Sequence, residues 1–369
     1  MKSAMVDWSS LPWDLIRGVA DCLLATNDID YYMDMRAVCC GWRAAMADPC
    51  RHGTDANFLL FRPRQWIMLD DDSEDEHRLF VNISTGRFLR WRLPLLRDHI
   101  MVSTSDGLII LLEKKRPHAA HVLNPLTGSL IRFAMPIPHK NILMSVVTGS
   151  DPTLVFYKSN DDDDILRCAD PTSKTFSTPL FLSGASDIQS ILAYAGNVYA
   201  ADVSGSLFKM VGTAQHCYCE LIAKISNPRE MFLVESAGEL LLIILSSYRL
   251  VFEILRVDVK RNMLEAVKSM GTRALFLGPR SLSVDADKLP SLDRNCLYYH
   301  VSLQSKPGMY MYDLRDGTES SLLETTASPF HRQIFSRGPT SLVQVLLGYC
   351  LLFPGYKAQL MHLLRTRED

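Results

Sequence analysis

The tightest cluster of metal-ligating side chains in this 369-residue chain is His216-Cys217-Tyr218-Cys219. Alternation along a strand would place both thiols on one face, as a zinc site could use them. No second Cys or His pair stands near in sequence to complete four ligands, so the segment reads as a packed strand. The acidic run Asp161 to Asp164 invites a calcium loop. An EF-hand starting at Asp161 needs Gly at its sixth position and Glu at its twelfth, and it meets Leu166 and Thr172. That run, like Asp70 to Glu76, is expected to be a solvated hairpin tip. The chain has no Gly-x-Ser-x-Gly elbow, no Gly-x-x-x-x-Gly-Lys phosphate loop and no His-Glu-x-x-His helix. Asn82-Ile83-Ser84 fits a glycosylation acceptor, but the first twenty residues lack a basic start followed by an apolar core, so no encounter with that machinery is expected. The expectation is a non-catalytic protein with no catalytic residues, no metal and no cofactor.

Composition narrows the class. Hydrophobic residues make up 47% and charged residues 22%, enough to bury a sizeable core. A net charge of −2 leaves no electrostatic footprint for nucleic acid. The nine cysteines are odd in number and scattered, unlike a secreted disulfide scaffold, so they read as reduced, mostly packed thiols of a cytoplasmic or nuclear protein. Two apolar runs, Leu240 to Leu245 and Leu342 to Phe353, fall short of the roughly 18–20 residues that span a bilayer. Both are expected to be buried strands, and no membrane partner is expected.

Two kinds of element must position whatever this chain uses. Ile16, Val19, Ala20, Leu23 and Leu24 fall at helical spacing and form one apolar stripe. Ser9 and Ser10 offer caps, Pro12 suits a first turn and Asp14 complements the positive helix end. ATNDID breaks this helix, and Asp30 is a plausible cap for a second one from Met33 to Met46, with Met35, Val38, Cys39 and Trp42 on a common face. Asp48-Pro49 ends it. From about residue 57 the period becomes two. Leu89, Trp91 and Leu93 alternate with Arg90 and Arg92; Leu297, Tyr299, Val301 and Leu303 alternate with Tyr298, His300 and Ser302.

Asx-initiated turns recur through the strand region, at Asn82, Asn124, Asp170, Asp202, Asp258 and Asp313. Their intervals are 42, 46, 32, 56 and 55 residues, a mean of about 46. Four-stranded propeller blades recur at about 40–50 residues. The fold expected is therefore mainly β, a β-propeller of about six four-stranded blades, preceded by a small α-helical module.

The N-terminal segment resembles the F-box, the helical module that docks on the Skp adaptor of Skp–cullin–F-box ubiquitin ligases. The matching residues are Leu11-Pro12, Asp14, Leu15-Ile16, Leu23, Arg36, Val38-Cys39 and Trp42-Arg43. Leu23 and Val38 stand 15 apart, which gives a longer inter-helix loop than the commonest F-box spacing. The segments PRQWIML, NISTGRFLRWRLP, DGLIILL, HVLNPLTGSLIRF, NVYAADVSGSLF, FLVESAGELLLI, FEILRVDV and ALFLGPRSLSVDADKLPSL are similar, in order, to a plant family. Its members join an F-box to a KIB-type β-propeller, formerly a domain of unknown function. The likeness runs to about Thr325.

The resemblance implies an F-box, at 8–50; the period and turns place the propeller at 57–350, and 351–369 is left as a C-terminal tail with helical character. The resemblance also implies a substrate-recognition subunit: the F-box recruits a Skp-type adaptor and through it a cullin, and the propeller holds a target protein for ubiquitin-dependent degradation. The residues expected to meet the adaptor are Leu11, Pro12, Ile16, Leu23, Val38, Cys39 and Trp42. The alternative is a stand-alone propeller that binds or inhibits another protein without a ligase. A propeller enzyme would need carboxylates or metal ligands converging in the central channel, and no such set is visible in the sequence.

Overall fold

The computed structural model describes residues 8, 11–49, 60–69, 76–115, 118–136, 142–149, 152–158, 165–181, 187–214, 216–246, 252–289, 291–301, 308–324 and 341–350. The acidic runs 70–75 and 161–164, the caps Ser9 and Ser10, and the tail 351–369 lie outside them. No helix among the described residues is long and apolar enough to cross a membrane.

The chain opens with α1 (Trp13–Ala25), α2 (Ile29–Ala37) and α3 (Cys40–Ala45). Pro12 sits at the N-cap of α1, where its missing N–H is no loss, and its carbonyl accepts the Leu15 and Ile16 amides at 3.0 and 3.1 Å. Asn27, at φ 59°, turns the chain out of α1. The single helix expected from Met33 to Met46 is two. Cys39 is extended, at φ −159° and ψ 169°, and its Sγ accepts the Trp42 amide at 3.4 Å to start α3. The break folds α3 back, so that the Arg36 guanidinium donates to the Met46 carbonyl at 3.2 Å. Ten residues of straight helix would hold those two about 15 Å apart. Asp28 occupies the N-cap position of α2 without a side-chain cap bond, and Asp30 lies buried inside the first turn.

The strands form six sheets, the blades of a propeller. They are β1 (Trp66–Leu69), β2 (His77–Asn82) and β3 (Phe88–Arg92); then β4 (His99–Ser105), β5 (Leu108–Glu113), β6 (Ala119–Leu123) and β7 (Leu130–Pro136); then β8 (Ile142–Thr148), β9 (Thr153–Lys158) and β10 (Ile165–Ala169). The fourth blade holds β11 (Leu180–Phe181), β12 (Ile188–Tyr194), β13 (Asn197–Asp202), β14 (Ser206–Gly212) and β15 (Cys217–Lys224). The fifth holds β16 (Pro228–Ser236), β17 (Glu239–Ser246), β18 (Phe252–Asp258) and β19 (Met263–Ala266). The sixth holds β20 (Arg273–Phe276), β21 (Leu282–Asp285), β22 (Cys296–Val301), β23 (Gly308–Asp313) and β24 (Thr318–Glu324). Among the described residues blade size therefore runs from three to five strands, and only the second and fifth have four.

Each blade carries one of the six Asx turns. The side-chain oxygens of Asn82, Asn124, Asp170, Asp258 and Asp313 each accept an amide two residues on, at 2.8–3.1 Å. Asp202 accepts the Ser206 amide at 2.8 Å. Five of the turns start the outermost hairpin. Asp202 instead joins β13 to β14, one hairpin early, which accounts for the short interval before it and the long one after it.

Burial on both faces distinguishes inner strands from outer ones. Neighbouring blades cover both sides of β22, so Leu297, Tyr298 and Tyr299 are all buried and the alternation expected there disappears. On the outermost β3, Leu89 is half-buried while Trp91 is 37% exposed. Serines tie inner strands together across blades. Ser105 accepts the Val147 amide at 3.1 Å, Ser190 the Leu233 amide at 3.0 Å, and Ser236 meets Ser283 at 2.7 Å.

The run beginning at Leu342 is helix α4 (Leu342–Cys350), not a strand. A short apolar run cannot be assigned by periodicity alone. Val345, Leu346 and Leu347 pack in one core with Ile67 and Val81 of the first blade and Phe276 and Val284 of the last. Tyr349 reaches Thr104 of β4 at 3.3 Å, and Arg280 lies over the Tyr349 ring. Among the described residues no sheet mixes the two ends of the chain, so α4 and this core join the first blade to the last.

Candidate functional site

Two surfaces are built for contact, and they lie close together. The first is the face of α1. Ile16 and Ala20 bury into a core shared with Trp66, Phe80, Ile109 and Leu123 of the first two blades. Arg87 fixes the helices to blade one: it pairs with the buried Asp30 and stacks over the Tyr31 ring at 3.9 Å. Asn27 adds backbone bonds, donating to the Arg62 carbonyl at 2.8 Å and accepting the Gln65 amide at 3.2 Å. Alongside the buried stripe, Pro12, Leu15, Val19 and Cys22 form a second one at helical spacing, with Leu15 57% and Val19 49% exposed. The apolar band of α1 is thus wider than its own core covers.

The residues expected to meet an adaptor divide accordingly. Pro12 and Val38 are exposed. Leu11, Leu23 and Trp42 are half-buried against the core, and the Trp42 indole donates to the Trp8 carbonyl at 3.2 Å. Cys39 is a helix cap. Ile16 is 1% exposed and supports the surface from beneath instead of lying on it, because its stripe is the one that docks on the blades. Leu15 and Val19, which were not among the residues expected to meet an adaptor, are exposed beside them. Their signal was the width of the apolar band, which a single stripe does not need.

The second surface is the mouth of the central channel. Residues 60–65 cross it, and Gly107 sits so near that a Cβ there would meet the Pro63 carbonyl oxygen at 2.0 Å. Arg62 is buried. It pairs with Asp106 at 3.0 Å and donates to the Val147 carbonyl at 2.6 Å, joining blades two and three. Two-residue turns with both φ positive, Asp106-Gly107, Ala195-Gly196 and Ala237-Gly238, end the inner hairpins here. They surround two adjoining cavities of about 280 and 520 Å³, which share Arg64, Asp106, Glu235 and Gly238. Leu24, Ala25 and Asn27 at the end of α1 line the larger one, with Arg273 on its far side. Glu235 is reached by solvent yet surrounded by protein, so lost hydration pushes its carboxyl up, and Asp106 adds to this. Asp106 is already paired with Arg62, so the two carboxylates are unequal. The mouth suits binding of a mixed-charge segment. Its sequence signal was the repeated Gly at 107, 196 and 238, each second in a two-residue turn.

A groove of about 590 Å³ between blades three and four is lined, among the described residues, by one charged side chain, Asp170, which its own turn uses. The His216–Cys219 segment begins β15. Cys217 and Cys219 are both buried, as alternation implies, and Cys217 Sγ meets Cys168 Sγ of β10 at 3.0 Å. The eight described cysteines are free.

Comparison with known proteins finds distant structural likenesses and one family. The propeller of Myceliophteria thermophila Cps50 (Swd1) is 11% identical over 71% of this chain and 89% of that one, with a TM-score of 0.39. Apo AztD from Citrobacter koseri is 12% identical over 72% and 96%, with a TM-score of 0.34. An oligogalacturonate lyase in complex with manganese is 11% identical over 74% and 78%, at 0.38. At these scores the likenesses carry no argument. No curated protein sequence matches the chain. The KIB1-4 beta-propeller family matches residues 80–320, from within β2 to within β24 and so through all six blades. The chain belongs to the KIB1-4 beta-propeller family.

Proposed function

We propose that this protein is the substrate-recognition subunit of a Skp–cullin–F-box ubiquitin ligase. The observation that carries the reading is the second apolar stripe of α1: Pro12, Leu15 and Val19 stand in solvent, seated on a helix whose other stripe is fixed by the blades. Exposed apolar side chains on a rigid base suit capture by a partner's helices. Val38 and the exposed edge of Trp42 extend the surface. The propeller mouth, which the end of α1 overlooks, holds the target protein. The chain performs no chemistry: tethering a target beside a charged ubiquitin-conjugating enzyme makes lysine transfer nearly intramolecular.

The test is a pull-down of the purified full chain with a Skp-type adaptor, beside the triple variant Pro12→Ala/Leu15→Ala/Val19→Ala. Binding by wild type that the variant loses, with unchanged circular dichroism, supports the reading. Absence of binding by the folded wild-type chain overturns it and leaves a propeller that binds its target without a ligase.

A further inference from the structure

The second blade carries a cluster that neither surface uses. His99 opens β4, and Glu113 closes β5 directly opposite it. His121 on β6 pairs across from Leu111, two residues before Glu113. Residues two apart on a strand share a face, so all three side chains project from one side of the sheet. Each offers one ligand atom, and the three atoms lie within 4.8 Å of one another. The two imidazole rings meet edge to face at 4.9 Å.

We propose that His99, Glu113 and His121 form a zinc site, with the fourth position left to water or to a partner's side chain. Two imidazoles and one carboxylate are a donor set that zinc accepts, and three protein ligands leave one position open. His99 is already oriented. Its Nδ1 donates to the Leu95 carbonyl oxygen at 2.9 Å, which leaves Nε2 as the nitrogen turned to the cluster. A backbone carbonyl holding the far nitrogen is the usual support of a metal-bound imidazole. His121 is buried, and its Nδ1 has no hydrogen-bond partner. Its Nε2 stands 3.6 Å from a Glu113 oxygen, too far for a hydrogen bond. Arg132, on the neighbouring β7, approaches the same Glu113 oxygen at 3.6 Å, and zinc must displace it. That side chain is 65% exposed and can swing into solvent. The ion would pin β4, β5 and β6 at the end of the blade away from the Asp106-Gly107 turn.

No sequence motif announces the cluster, because its ligands are 14 and 8 residues apart on three strands. Zn²⁺ titration of the chelator-stripped full chain, followed by calorimetry, tests the site against His121→Gln and Glu113→Gln. The expected result is one equivalent of Zn²⁺ bound by wild type and absent from both variants, whose circular dichroism stays unchanged. Co²⁺ substitution should give the visible absorption of a four-coordinate site without a thiolate band, which separates this site from the cysteines. Arg132→Ala should tighten binding several-fold. Absence of Zn²⁺ binding by wild type overturns the proposal. So does an unchanged stoichiometry and Co²⁺ spectrum in both variants.

Discussion

The face of α1 and the mouth of the channel are neighbours built on opposite principles. The α1 face is apolar, comes from about two turns of one helix, and is stiffened by the stripe beside it. The mouth is charged and is assembled from segments scattered between residues 24 and 283. Apolar area on a rigid helix gives affinity for any partner with a matching groove. Charged groups held in fixed positions discriminate among partners more than they add affinity. In the proposed reading, α1 takes the constant partner and the mouth the selected one.

The comparison can be broken first at Arg62. Arg62→Ala leaves Asp106 without its partner and the Val147 carbonyl without its donor, and should cost about 3–5 kcal/mol of stability, read by urea unfolding. A cost near zero would mean that the mouth is not held by its charges. On the other surface, the triple α1 variant should leave stability within about 0.5 kcal/mol of wild type while weakening adaptor binding by about 2 kcal/mol or more, read by calorimetry. An equal loss of stability would place those side chains in the core. Arg87→Ala strips the buried Asp30 of its ion pair and should cost about 1–3 kcal/mol. Hydrogen exchange should then rise in α1 and α2 and stay unchanged in blades three to five.

The smallest effect is expected at Glu235. Its carboxyl is raised in the folded protein, so the folded state holds the proton more tightly than the unfolded one. The stability this contributes is complete below the ordinary glutamate range and is lost as pH rises through the raised value. Glu235→Gln should therefore be more stable than wild type at pH 7 and lose that advantage as pH falls towards 4, read as melting temperature against pH. A constant difference between the two would remove the burial argument.

What the sequence revealed was local. An Asx turn needs one side chain and an amide two residues on, so Asn124 or Asp313 announces its hairpin wherever the hairpin lies in the blade. Six turns therefore counted six blades, even though Asp202 sits one hairpin early. The break at Cys39 was hidden because its cause is distant: Arg36 must reach the carbonyls that follow α3. The run at Leu342 was misread because helix and buried strand look alike over nine apolar-rich residues. The mouth was illegible for a third reason. Asp106 and Glu235 are ordinary residues in sequence and become a pair only when the ring closes. Of the adaptor residues, period alone could place Ile16 on a stripe, but it could not say which of two stripes the blades would cover.

Ring closure by α4 also sets a timetable for synthesis. Ile67 and Val81 leave the ribosome early, but their packing partners Val345 and Leu346 follow only after roughly 260 more residues. At about 5–20 residues per second, that is a delay on the order of 10–50 s. Throughout it, an apolar flank of the first blade is a natural client for chaperones. A message cut short before Leu342 would release a chain with that flank permanently bare, ready for disposal before it could recruit anything else.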